Sequence, residues 1–229
     1  MRLPSSSPLR ELKYALWFPA YLLAYALAEH LVTTRYWATE LPVDNCIPFS
    51  QYALIPYSLW YPLLIGLGLY LLFRDSASFR RYMCYLALTF FLSVAIWLLV
   101  PNGQDLRPQI EGGDFLSQVV VQLYRIDTNT NVFPSVHVVG AVGAALAAWN
   151  CPRLRRRPAV CWSIVVLAAA ICLSTLFLKQ HTVLDVAGGL VLSTLVALPL
   201  YRRSPASVPK RAAPLRRRQS ISKTTPDAN

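Results

Sequence analysis

Charged side chains are scarce in this sequence: Asp, Glu, Lys and Arg supply 14% of its 229 residues, and only 11 residues are acidic. Soluble domains carry about a quarter, so this scarcity excludes an ordinary water-soluble domain. Histidine is scarcer still, with three in the whole chain. The five cysteines (Cys46, Cys84, Cys151, Cys161, Cys172) show no pairwise metal-ligand spacing, which argues against a zinc or iron–sulfur site and implies no disulfide framework. Short segments of alternating apolar and polar residues are missing too, so a membrane β-barrel is not indicated. There is no internal repeat and no soluble-domain boundary.

What the chain has instead is long apolar runs. Hydrophobic residues make up 55% of it and the mean hydropathy is +0.40. A bilayer-spanning helix needs roughly 20 mostly apolar residues, and six stretches read as spans: Tyr14 to Val32, Leu54 to Phe73, Tyr82 to Val100, Phe133 to Trp149, Ala159 to Leu178 and Val183 to Tyr201. The expected fold class is all-α, a polytopic six-helix membrane bundle. The first stretch lacks a small-residue cleavage site and is read as a helix rather than a removed signal peptide. The fourth is short and rich in Gly140, Gly143, Ala144, Ala147 and Ala148, which suits close helix packing better than contact with lipid.

The formal charge of +11 does not point to nucleic acid, because the cations are confined to segments between and after the apolar runs. With the N-terminus inside, 18 of the 22 Lys and Arg residues fall on the cytoplasmic side, among them Arg80, Arg81 and the run Arg153 to Arg157. Only Arg35, Arg107, Arg125 and Lys179 are left outside. That bias puts both termini in the cytoplasm. The division expected is a cytoplasmic N-terminus (1–13), a six-helix membrane domain (14–201) and a basic, disordered cytoplasmic tail (202–229) lying near anionic headgroups. Two long external loops remain, Thr33 to Ala53 and Pro101 to Val132. The second holds FLSQVVVQLYRI, Phe115 to Ile126, with the spacing of a short interfacial helix.

Two of the three histidines stand in patterned places: FPSVH ends at His137, and KQHTVLDV holds His181 and Asp185. Span four starts outside at about His137 and span five returns to the outside just before His181, so 44 residues of separation become proximity at one membrane face. Asp185, four residues after His181, is expected on the same helical face. A carboxylate beside a histidine fixes its tautomer and frees the other ring nitrogen for attack. His181 is therefore the candidate nucleophile, and His137 the candidate acid for the departing oxygen. Arg107 and Lys179 are the external cations available to a transferring phosphoryl group, with Ser135 and the first amides of span four as further donors. No carboxylate or His/Cys ligand cluster calls for a metal, and no cofactor is expected.

Smaller expectations attach to other residues. Glu29 and His30 read first as interfacial anchors, and Tyr57, Trp60 and Tyr61 as an aromatic belt near Asp44. Asp127 and Asn131, just ahead of FPSVH, read first as loop-capping residues.

These motifs resemble those of the type 2 phosphatidic acid phosphatase superfamily. Its pattern is a Lys followed after six residues by Arg-Pro, then Pro-Ser-Gly-His, then Ser-Arg followed by His and Asp. Here the corresponding residues are Arg107-Pro108, Pro134-Ser135-Val136-His137, and Ser174-Thr175 through His181 and Asp185. Val100, Val136 and Thr175 stand where the pattern has Lys, Gly and Arg, and Lys179 is placed to compensate. These departures, with IPFSQYALIPYSLWYP in the first loop and second span, resemble the branch of inositol phosphorylceramide synthases. The resemblance implies a lipid-phosphate substrate in the bilayer, a phosphohistidine at His181, and water or an alcohol as acceptor. Three functions are expected in order: a lipid phosphatase or phosphotransferase, an inositolphosphotransferase acting on a ceramide-like alcohol, and a non-catalytic lipid-binding or transport protein on the same scaffold. The plasma membrane, with the site facing outward, is the default location.

Overall fold

A computed structural model describes residues 7–31, 35–110 and 113–202. The basic tail expected over 202–229 lies outside the described residues from 203 onward. Each of the six apolar stretches forms a helix: α1 (Trp17–Leu31), α2 (Trp60–Arg74), α3 (Ser76–Leu99), then after the shorter α4 (Phe115–Ile126), α5 (Val136–Asn150), α6 (Pro158–Phe177) and α7 (Val183–Arg202). Local chemistry sets several of the starts. Asp75 caps α3 by accepting the Ser78 amide at 3.0 Å, Asp114 caps α4 through the Ser117 amide at 2.9 Å, and Pro158 opens α6.

Four helical segments among the described residues are long and apolar enough to cross a membrane: Gln51–Arg74, Ser76–Leu99, Pro158–Phe177 and Val183–Tyr201. The chain is an integral membrane protein. Leu23, Ile65, Phe73, Val166 and Leu195 are each more than half exposed. In water each such side chain would forgo about 1.5–3 kcal/mol of burial; in hydrocarbon that penalty vanishes. The helices α1 and α5 have 15 residues each, roughly 22 Å at 1.5 Å per residue against about 30 Å of hydrocarbon.

For α5 the shortness has a packing reason. It is the central helix, set against α2, α3, α6 and α7, and ten of its fifteen residues are buried. Small side chains make this contact possible. A Cβ on Gly143 would lie 2.3 Å from the Tyr85 ring, and one on Gly140 2.6 Å from the Trp60 indole nitrogen. The α1 helix packs on α3 through Tyr21 and Phe90, whose rings are 4.9 Å apart.

The connecting loops at the two ends of the bundle differ in character. One end carries Arg80 and Arg81 at the start of α3 and Arg153 to Arg157 after α5, with Glu11 paired to Arg80 at 3.2 Å. At the other end, strand β1 (Trp37–Ala38) runs parallel to β2 (Asn102–Gly103), and Gly103 bridges to Thr130. Both long loops are thereby tied to the segment that leads into α5. In the α4 helix, expected in the interface, fully buried Val120 packs in a cluster with Leu54, Tyr57 and Leu178, while Phe115 and Ile126 at its two ends are exposed.

Candidate active site

The turn between α6 and α7 places His181. The amides of Gln180 and His181 both donate to the Thr175 carbonyl, at 3.0 and 3.2 Å, and Lys179 sits in the left-handed region with φ +53°. For a residue with a side chain that conformation costs about 1–3 kcal/mol and persists only when neighbours hold it. Here Gln104 Nε2 donates to the Lys179 carbonyl at 2.8 Å, and Lys179 Nζ donates to the Asp44 carbonyl at 2.7 Å. Asp44 is engaged further, because its Oδ1 accepts the Val183 amide at 2.8 Å and its Oδ2 the Leu41 amide at 2.7 Å.

Asp185 is held by reciprocal capping. The Thr182 amide donates to Asp185 Oδ2 at 2.7 Å and the Asp185 amide to Thr182 Oγ1 at 3.2 Å, which satisfies two of the orphan donors at the start of α7. The expected shared helical face is therefore corrected: α7 begins at Val183, so His181 lies outside it. Its ring meets Asp185 because the cap folds the carboxylate back over the entering chain. His181 Nδ1 is 3.6 Å from Asp185 Oδ2, beyond hydrogen-bond length, and both residues are buried. Asp185 Oδ1 has no hydrogen-bond partner among the described residues.

His137 enters from α5. Asn102 clasps the preceding loop, accepting the Phe133 amide at 2.7 Å and donating to the Phe133 carbonyl at 3.1 Å. Ser135 then caps α5, with its hydroxyl oxygen 3.4 Å from the Val138 amide. The Ser135 amide donates to the Asp185 carbonyl at 3.2 Å, which joins the two histidine segments directly. Glycine permits this approach: a Cβ on Gly188 would fall 2.3 Å from the Phe133 ring, and one on Gly189 2.8 Å from Val138. The His137 ring stacks on Tyr57 at 4.3 Å and 28°, lies 4.7 Å from the Trp60 ring, and is 5.8 Å from the His181 ring. Neither of its ring nitrogens has a hydrogen-bond partner among the described residues.

The two expected cations are both occupied by the scaffold. The Arg107 guanidinium donates to the carbonyls of Tyr124, Asp127 and Thr128 at 3.0, 2.7 and 2.7 Å and to the Gln180 side chain, and stacks on the Tyr124 ring at 4.5 Å. Burial draws its proton affinity down and nearby Asp127 opposes that. The Tyr124 phenol, which donates to the Leu178 carbonyl at 2.6 Å, is pushed up to about 12 by burial.

Residues 20–209 match the model of the PAP2 superfamily. The chain belongs to that superfamily. No curated protein and no solved structure matches it. PAP2 proteins are typically phosphatases or phosphotransferases, and the matched span contains every residue discussed above as a site candidate. Within this PAP2 chain, His137, His181 and Asp185 come together at one end of the bundle, with Ser135 beside Asp185 through the backbone. Arg107 reaches the residue before His181 rather than a histidine itself, and the Lys179 ammonium turns to the first loop. Sequence reasoning gave Asp127, Tyr57 and Glu29 lesser roles and passed over Gln180 and Gln104. Asp127 accepts from Tyr57 and Gln180, and Glu29 from Thr128 and Asn131. The nearest signal in the sequence was the position of Asp127 and Asn131 just ahead of FPSVH.

Proposed function

We propose that this protein is a membrane lipid phosphatase or phosphotransferase whose nucleophile is His181 and whose acid is His137. The observation that carries the reading is the pair of histidines from separate motifs, 5.8 Å apart between ring centres, with Asp185 beside only one of them. That asymmetry divides the roles. With the Nδ1 proton toward Asp185, His181 Nε2 has its lone pair free to attack phosphorus. As the P–N bond forms and the P–O bond to the lipid breaks, charge grows on the His181 ring and draws it toward the carboxylate. A proton passes from His137 to the departing oxygen. An incoming water or alcohol then returns a proton to His137 as its oxygen attacks phosphorus and the P–N bond breaks.

The bilayer setting follows from the same reading. All six long apolar helices span, and α5 does so although short because protein surrounds it. The arginine-rich end lies in the cytoplasm with both termini, and the histidines face outward at the plasma membrane. A second reading, transfer of a headgroup phosphate from a phosphodiester lipid to a lipid alcohol, is favoured by one observation. Arg107 and Lys179 spend donors on backbone carbonyls, leaving fewer N–H groups for the oxygens of a doubly ionised phosphomonoester. A diester carries a single charge.

Purified protein tested on phosphomonoester and phosphodiester lipids, with and without alcohol acceptors, decides the matter. Phosphate release without acceptor is expected of the first reading and strict acceptor dependence of the second. Near-normal turnover by folded His181→Ala would refute both.

A further inference from the structure

We infer that Asp127 is a positioning residue for both histidines, its one carboxylate tying the tyrosine that carries His137 to the glutamine that precedes His181. The inference rests on the acid and nucleophile roles proposed above. Asp127 ends α4, where its amide donates to the Leu123 carbonyl at 2.9 Å. Its Oδ2 accepts from the Tyr57 hydroxyl at 2.8 Å and from Gln180 Nε2 at 3.3 Å, and its Oδ1 from the Tyr25 hydroxyl at 3.3 Å. Three donors from three separate elements fix the carboxylate in one setting. Gln180 in turn accepts from Arg107, which also donates to the Asp127 carbonyl at 2.7 Å. Gln180 thus cannot shift, and carry the His181 backbone with it, without breaking contacts to both.

On the other side, Tyr57 is 2% exposed and its ring is the nearest aromatic face to His137. With no hydrogen bond to either nitrogen among the described residues, the His137 ring takes its orientation from the Tyr57 and Trp60 faces. A phenol that donates to a carboxylate has a more electron-rich ring, and such a face attracts an imidazolium more strongly than a neutral imidazole. Asp127 therefore acts on the acid through Tyr57 and on the nucleophile through Gln180. It touches neither imidazole by a hydrogen bond.

The test compares Asp127→Asn and Tyr57→Phe with wild type on a lipid alkyl phosphate and on p-nitrophenyl phosphate, whose leaving group needs no proton. For both variants kcat on the alkyl phosphate should fall about ten- to hundred-fold, part of what a general acid supplies, with KM within a few-fold. For Tyr57→Phe, which acts on the acid alone, the loss on the aryl phosphate should be at least ten-fold smaller, whereas Asp127→Asn, which also loosens the nucleophile through Gln180, should lose rate on both substrates. Equal losses for Tyr57→Phe, an aryl rate fully spared in Asp127→Asn, or unchanged alkyl rates in both would overturn the inference. Should Asp127→Asn not fold, Tyr57→Phe, which keeps the ring and its packing, decides the acid side and Gln180→Leu, expected to slow both substrates, the nucleophile side. Wild type inert on every phosphate would refute the functional reading instead. The positioning role is then read from the ring 15N resonance of His137, assigned by substituting each of the three histidines. Both variants should move it at fixed pH, and an unmoved resonance in both would overturn the inference independently of turnover.

Discussion

Asp185 Oδ2 accepts the Thr182 amide and is also the carboxylate oxygen nearest His181 Nδ1, so substitutions there divide into two kinds. Asn keeps a side-chain oxygen that can accept the same amide. Asp185→Asn should keep the thermal midpoint within a few degrees yet lower kcat by orders of magnitude, since charge support for the histidine is gone. Asp185→Ala should also lose about 1 kcal/mol of stability with the hydrogen bond to the Thr182 amide. Thermal unfolding in detergent beside kcat separates the two; an active, stable Asn variant would make the residue purely structural. Arg107 calls for a different expectation from the one its position in the motif gave. Its planar fork holds three carbonyls and Gln180, a geometry a point-charge ammonium does not reproduce. Arg107→Lys should therefore lower the melting temperature as well as turnover, and loss of turnover with unaltered melting would return Arg107 to the phosphate site.

Among the elements, the long helices were legible because twenty apolar residues have few alternatives, and α4 because its spacing matched a helix over Phe115–Ile126. The proximity of His137 and His181 was legible from chain direction alone. What a sequence does not display is a contact whose partners lie far apart along the chain. Asp127 meets Tyr25, Tyr57 and Gln180, at separations of 102, 70 and 53 residues, and none of those pairs has a local signature. The contact of the Lys179 ammonium is equally without a local signature, its acceptor being 135 residues away. The small residues of α5 carried a local signal, and its consequence is testable. Gly143→Ala drives a methyl into the fully buried Tyr85 ring and should destabilise by about 1–3 kcal/mol. Tyr85→Leu in the same chain should recover part of that, and an unchanged melting temperature for Gly143→Ala alone would mean that α3 and α5 are less tightly joined.

For the molecule as a whole, the uneven distribution of arginine between the two ends of the bundle sets the orientation expected in a membrane. Cys46 is exposed in the first long loop, at the histidine end. With the other four cysteines replaced, Cys46 should react with an impermeant maleimide applied to intact cells, while a cysteine introduced as Arg155→Cys should react only after permeabilisation. The opposite pattern would turn the protein over.

The capping box at Thr182 and Asp185 has a consequence for descent. A lineage that abandoned the chemistry but kept the scaffold would be free to change His137 and His181, whereas position 185 would keep an Asp or an Asn for as long as the start of the last helix needs the Thr182 amide satisfied. An acceptor at that position therefore testifies to folding, and the aspartate's charge and the two histidines are the features whose loss would record the loss of activity.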